Sequence, residues 1–246
     1  MQRNSGEAQP SASSRSCAPM QAKRQIRRTS VSTTMLDGTS AQVTLMPTRL
    51  RVHEYHAATQ WRVKATQREL AEITRTPEDL ARWWPAAFLV VKGTGPSTEI
   101  GPGSEACCHV KGWLPHTLTF WGRVEDVVLG ERFNVEVWGD FNGCMDCTVK
   151  QEGDYCLVTF DWRVYVNKPF VRRLSFLFKL LFYSNHAWVM MLGLRSINRE
   201  LARRRGELQP DAPGPTFPYG PRSRRFLKWL PQAGRSSVDR SETSAS

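Results

Sequence analysis

Asn185 and His186 set an amide beside an imidazole in a stretch that otherwise reads as helix. Imidazole titrates near neutrality, so this pair could orient a ligand oxygen or move a proton, and His186 and Asn185 are the catalytic candidates. The competing reading makes Asn185 or Ser184 the N-cap of a restarting helix, with His186 on the surface. Cys144 and Cys147 have C-x-x-C spacing, but a zinc site needs a second pair, and His109 beside Cys107 and Cys108 is the nearest complement. A redox pair of this kind should open a helix, whereas this one follows Asn142-Gly143 and enters a strand, so the thiols read as small core residues. The glycines of Gly93–Gly103 are interleaved with prolines and match no phosphate-loop pattern. Neither a metal nor a cofactor is expected.

A second set of residues could bind rather than react. Phe120, Trp121, Trp138, Phe160, Trp162 and Trp188, with Met190 and Met191, would supply walls for a planar or acyl ligand. Ordinary core packing uses the same side chains, because alternation tells which residues share a face and not whether a void lies beyond it.

The elements that must carry these residues follow from periodicity. Trp61, Val63 and Ala65 alternate with Arg62 and Lys64, a strand from Gln60 to Ala65. Thr66 with Glu69 has capping-box spacing and opens a short helix through Leu70 and Ile73. Pro77 opens a second helix from Glu78 to Trp84, closed by Pro85, and a strand resumes at Ala86–Lys92. Further strands are expected at Glu105–Lys111, Thr117–Val127, Arg132–Trp138, Cys147–Gln151 and Tyr155–Val166, with turns at Gly130, Asn142-Gly143 and Glu152-Gly153-Asp154. In the last strand Val158, Phe160, Trp162, Val164 and Val166 share one face, as an antiparallel meander with one buried face requires. Lys168 to Arg205 reads as helix, broken near Tyr183 to Asn185. Its stripe Ala187, Met190, Met191, Leu194, Ile197 and Leu201 faces the sheet, while Arg195, Arg199 and Arg203 face water.

The chain of 246 residues carries a formal charge of +11, which brings nucleic acid or an anionic surface to mind first. The charge is unevenly spread. Residues 1–48 hold six basic and two acidic residues without an aromatic ring, and 207–246 hold six and four among Pro, Gly and Ser. Both read as disordered, around a folded domain at 49–206 that has eight of the nine Trp. The N-terminal arm is either an organelle presequence or a loose extension upstream of a true start at Met35 or Met46. Within the domain, 168–206 has nine basic residues and one acidic, so the body is slightly acidic and no nucleic-acid motif appears. Leu174 to Leu194 matches a membrane span in length, but Lys179, Asn185 and His186 sit inside it, so no transmembrane segment is expected. Arg203, Arg204 and Arg205 are the expected contact with an anionic membrane. Six cysteines in no disulfide-like spacing point to a reducing, cytoplasmic compartment.

Trp61-Arg62-Val63 before a helix, Ala81-Arg82-Trp83-Trp84-Pro85 closing the helical pair, Gly93 with Gly101 and Gly103, Arg123-Val124-Glu125-Asp126, and Val158-Thr159-Phe160-Asp161-Trp162-Arg163-Val164 before the final helix form an ordered set. In this order, over residues 54–205, the chain resembles the SRPBCC superfamily, the START, birch-pollen-allergen and polyketide cyclase/dehydrase group. The resemblance implies an α+β helix-grip fold: a curved antiparallel sheet of six or seven strands around a long C-terminal helix, with two short helices after the first strand. It implies a cavity for a hydrophobic small molecule or lipid, and carriage of that ligand. A cyclase/dehydrase-type enzyme using the same pocket is the alternative. The stretch Phe170 to Tyr183 and the two tails depart from a minimal member.

Overall fold

The computed structural model describes residues 29–35, 38–45, 54–94, 99–166, 175–207 and 214–216. Its architecture is the helix-grip arrangement, α+β, with nine strands in place of the six or seven expected. Strands β1 (Thr29–Thr34), β2 (Ser40–Leu45) and β3 (Glu54–Val63) precede two short helices, α1 (Gln67–Thr74) and α2 (Asp79–Trp83). Strands β4 (Phe88–Gly93), β5 (Glu105–Lys111), β6 (Thr117–Val128), β7 (Arg132–Gly139), β8 (Phe141–Glu152) and β9 (Tyr155–Val166) follow, then α3 (Ser175–Arg204). One sheet contains all nine strands in the order β1-β2-β3-β9-β8-β7-β6-β5-β4, every pair antiparallel.

Strands β1 and β2 correct the expected arm at 1–48: they form a hairpin hydrogen-bonded to β3, with Ala41 opposite Trp61 and Val43 opposite Thr59. A hairpin that buries small side chains such as Ala41 and Val43, and borrows its ladder from a third strand, leaves little mark on composition. The boundary at 207 also shifts, because Thr216 hydrogen-bonds Lys111 and the Gly112 carbonyl within the domain. Residues 1–28, 36–37, 46–48, 208–213 and 217–246 of the expected disordered tails lie outside the described residues.

Local chemistry explains the first helix. The Thr66 hydroxyl accepts from Glu69 N at 3.2 Å, and Glu69 Oε2 accepts from Thr66 N at 2.8 Å, so two of the otherwise orphaned N–H groups at this end are satisfied. Leu70 and Ile73 then face inward, into the same core as the buried pair Trp83 and Trp84. The strand expected from Gln60 starts at Glu54, and alternates half-buried with buried residues along its whole length.

Two expected breaks are absent. Asn142-Gly143 is not a turn: β7 passes to β8 at Gly139-Asp140, where Gly139 has φ +134°, and the Asn142 side chain accepts from Gly139 N at 3.0 Å. Gly143 lies within β8 at φ +149°, where an added Cβ would meet the backbone of Arg163 and Val164. Helix α3 runs unbroken through Tyr183 to Asn185. The polar side chains that resembled a cap are satisfied elsewhere: Ser184 donates to the Leu181 carbonyl, and Asn185 accepts from the connection after β5. Residues 168–174 of the expected helix lie outside the described residues.

The α3 stripe Ala187, Met190, Leu194, Ile197 and Leu201 is buried against the sheet, and Met191 packs beside it, partly buried. Arg195 is exposed as expected, whereas Arg199 is half-buried. Gly193 sits on this face where Trp61 and Trp84 press on the helix. An added Cβ would stand 2.7 Å from Trp61 and closer still to Trp84. Gly193→Ala is expected to destabilise the domain by roughly 1–3 kcal/mol, overpacking outweighing the gain of about 1 kcal/mol in helix propensity. Urea melts check it; a variant as stable as the parent would show that the indoles can move aside.

Candidate functional site

A cavity of about 340 Å³ lies between the concave sheet, α1, α2 and α3. Strand parity decides who lines it. Inward residues of β9 (Val158, Phe160, Trp162, Val164) and of β3 (Ala57, Trp61) face the void, with Leu80, Trp83 and Trp84 from α2 and the residue after it. Rings meet edge-on or tilted: Trp61 with Phe160 at 4.7 Å, Phe120 with Phe141 at 4.7 Å and Trp61 with Trp84 at 5.6 Å. Trp83 and Trp84 stack on each other at 5.6 Å, and such ring pairs add to the energy of burying the wall.

Of the residues expected to bind ligand, Phe120, Phe160, Trp162 and Met190 stand in the cavity wall, together with His186 and Asn185. Trp121 and Trp138 do not. They pair across β6 and β7 on the opposite face of the sheet, where Arg123 lies over the Trp138 ring at 5.4 Å. Period-two alternation forbids Phe120 and its neighbour Trp121 from sharing a face. Trp188 and Met191 also lie outside the wall, Met191 packed against the core. Tyr55, Trp61, Trp83, Trp84 and Lys111 are wall residues that the sequence did not single out, although the Trp83-Trp84 pair closing the second helix was visible. Its burial is set by distant elements.

The polar groups of the wall are few and mostly committed. Asn185 Oδ1 accepts from Trp113 N at 2.9 Å and Leu114 N at 3.3 Å, so it fastens the β5–β6 connection to α3 and is not available as a ligand acceptor. Gly112 permits the approach, since a Cβ there would land on the Asn185 amide. His186 Nε2 lies 3.3 Å from the Thr59 hydroxyl, and the ring meets Trp162 edge-on at 6.4 Å. Enclosure by the protein lowers the His186 pKa to about 4, so the imidazole is neutral at pH 7. Lys111 is buried and donates to the Gly112 and Leu114 carbonyls, each at 3.0 Å, and to Thr216 Oγ1 at 2.6 Å; desolvation lowers its pKa.

Cys144 and Cys147, three apart on β8, fall on opposite faces of the strand and do not converge on one site. Burial pushes the Cys147 thiol well up and the Cys108 thiol up to about 12. Among the described residues no group of three or more His, Cys, Asp or Glu is placed to hold a metal ion.

Arg203, Arg204 and Arg205 are already paired. Glu200, buried on α3, takes Arg203 at 2.7 Å, Arg204 at 2.8 Å and Arg82 of α2 at 2.9 Å. Arg205 joins Glu69 of the capping box at 2.8 Å. Among the described residues no helix is long and apolar enough to cross a membrane.

No family model matches the chain, and no curated protein matches it. Solved structures are similar to parts of the chain. They include the STAR-related lipid transfer protein of Xanthomonas axonopodis (12% identity over 70% of this chain and 98% of that one, TM-score 0.45) and the major latex-like protein 151 of Panax ginseng (14%, 55% and 97%, 0.40). A protein of Thermus thermophilus is also similar (14%, 61% and 98%, 0.49).

Proposed function

We propose that this domain binds a hydrophobic small molecule or lipid in the cavity between sheet and α3, and carries it. The observation behind this reading is a cavity of about 340 Å³ walled mainly by aromatic and aliphatic side chains, a size and lining that suit small-molecule sites. His186, steadied by the buried Thr59 hydroxyl behind it, offers the ligand a neutral polar point. A catalytic role for His186 with Asn185 gains no support: the Asn185 oxygen is spent on Trp113 and Leu114, and an imidazole held at about 4 is a weak base at pH 7. Contact with an anionic membrane through Arg203, Arg204 and Arg205 is not favoured either, because Glu200 and Glu69 already hold those guanidinium groups. The five described cysteines are free thiols, which suits the proposed cytoplasmic setting.

The test is extraction and mass spectrometry of the purified full-length chain, with titration by the apolar fluorophore N-phenyl-1-naphthylamine. Saturable binding is expected, weakened at least about tenfold in Val164→Trp, which fills the void from β9. Absence of both a co-purified apolar molecule and saturable probe binding would overturn the reading.

A further inference from the structure

The β1–β2 turn and the C-terminal half of α3 enclose a second groove, of about 480 Å³. It shares no lining residue with the central cavity. Met35 and Thr39 form one wall, and Asn198 ties the helix to it by donating to Thr39 Oγ1 at 3.2 Å. Lys64, Arg195, Arg199 and Arg205 line the groove against one carboxylate, Glu207.

The neighbouring arginines show what is unusual here. Arg82, Arg203, Arg204 and Arg205 all have carboxylate partners within 3.0 Å. Lys64, Arg195 and Arg199 have no ion pair among the described residues, and Arg199 Nη1 is buried without a hydrogen-bond acceptor among them. A buried guanidinium N–H with no acceptor is costly, and the exposed Lys64 and Arg195 add positive charge at the mouth of the same groove. Their supports are rigid. Arg195 and Arg199 are one turn apart on α3, and Lys64 follows β3 with its carbonyl accepting from Arg205 Nη2 at 3.0 Å. Two guanidinium forks and an ammonium around one opening match the oxygens of a phosphate group, with Lys as point charge and Arg as bidentate donor.

We propose that this groove is a phosphate site, in which Arg195, Arg199 and Lys64 hold a phosphate monoester. The site does not depend on the central cavity having a ligand. Phosphate monoesters reach proteins as soluble metabolites or as the headgroup of phosphatidic acid, so the test uses both sources.

The full-length chain would be titrated calorimetrically with phenyl phosphate, and separately sedimented with phosphatidylcholine vesicles with and without phosphatidic acid. Saturable binding to at least one probe is expected, weakening with salt and falling about tenfold or more in Arg195→Gln and Arg199→Gln. Arg123→Gln, on the outer sheet face, carries the same charge change and should bind as the parent does. Phenyl phosphate binding without vesicle binding assigns a soluble ligand; vesicle binding that requires phosphatidic acid assigns the lipid. If Arg199→Gln fails to fold by thermal melting, the exposed Arg195 carries the test. No saturable binding of either probe, or an equal loss in Arg123→Gln, would overturn the proposal, the latter because net charge alone would then explain binding.

Discussion

Between pH 7 and pH 4.5 the domain is expected to lose about 2 kcal/mol of stability through His186, a loss that His186→Leu removes. The native state holds this imidazole at about 4, whereas an unfolded chain releases it to about 6.5. The unfolded state therefore binds more protons in this window, so stability is full above pH 6.5 and falls toward pH 4. The whole shift would be worth somewhat more, since at pH 4.5 the folded protein has itself begun to protonate the ring. At pH 7 the variant should be slightly weaker than its parent, about 1 kcal/mol, because the Thr59 hydroxyl loses its partner. At pH 4.5 the order should reverse. Urea melts at the two pH values check this, and parallel pH profiles for parent and variant would refute it. The lowered pKa of His109 acts in the same direction in both proteins and cancels in the comparison.

Glu200→Ala should cost roughly 2–3 kcal/mol, less than the 3–5 typical of breaking a fully buried ion pair because Arg82, Arg203 and Arg204 keep some contact with water. Glu200 itself is 4% exposed and ties α2 to the C-terminal turns of α3. Its three guanidinium partners outweigh its burial and hold its pKa far below the usual carboxylate range, so its contribution is full above about pH 4.5 and fails only in strong acid. A loss of this size should lower the melting temperature by roughly 4–12 °C. Glu200→Gln, which keeps the shape but not the charge, should fall between. An unchanged melting point in the Ala variant would mean that the arginines repair the gap with water.

What could be read from residues alone was what local chemistry decides. Thr66 and Glu69 announce α1 because both halves of the capping box lie within four residues. The alternation of Val158 to Val164 shows which face of β9 is apolar without showing what it faces. Decisions that belong to distant segments left no such mark. Trp121 and Trp138 looked as suited to a cavity as Phe120 and Trp162, and only strand parity together with the position of α3 separates them. The β1–β2 hairpin was invisible because its ladder is completed by β3, and Asn142-Gly143 imitated a turn that the backbone of β9 occupies from the other side. Asn185 looked reactive because nothing nearby in sequence shows that Gly112 leaves room for its amide.

The position of β3 in the sheet also dictates an order of assembly. Strands β5 to β9 join successive neighbours through short turns and can form as the chain emerges. Strand β3 must wait for β9, and its Thr59 for His186, 127 positions further on. Such long-range closure is expected to be slow, because the loop entropy must be lost before the contacts form. Until it happens Trp61 and Val63 have no sheet to rest on beyond the hairpin, and the void that Trp61 lines does not exist. Completion of the fold and creation of the cavity are therefore the same event, and a ligand present during synthesis can act only on its last step.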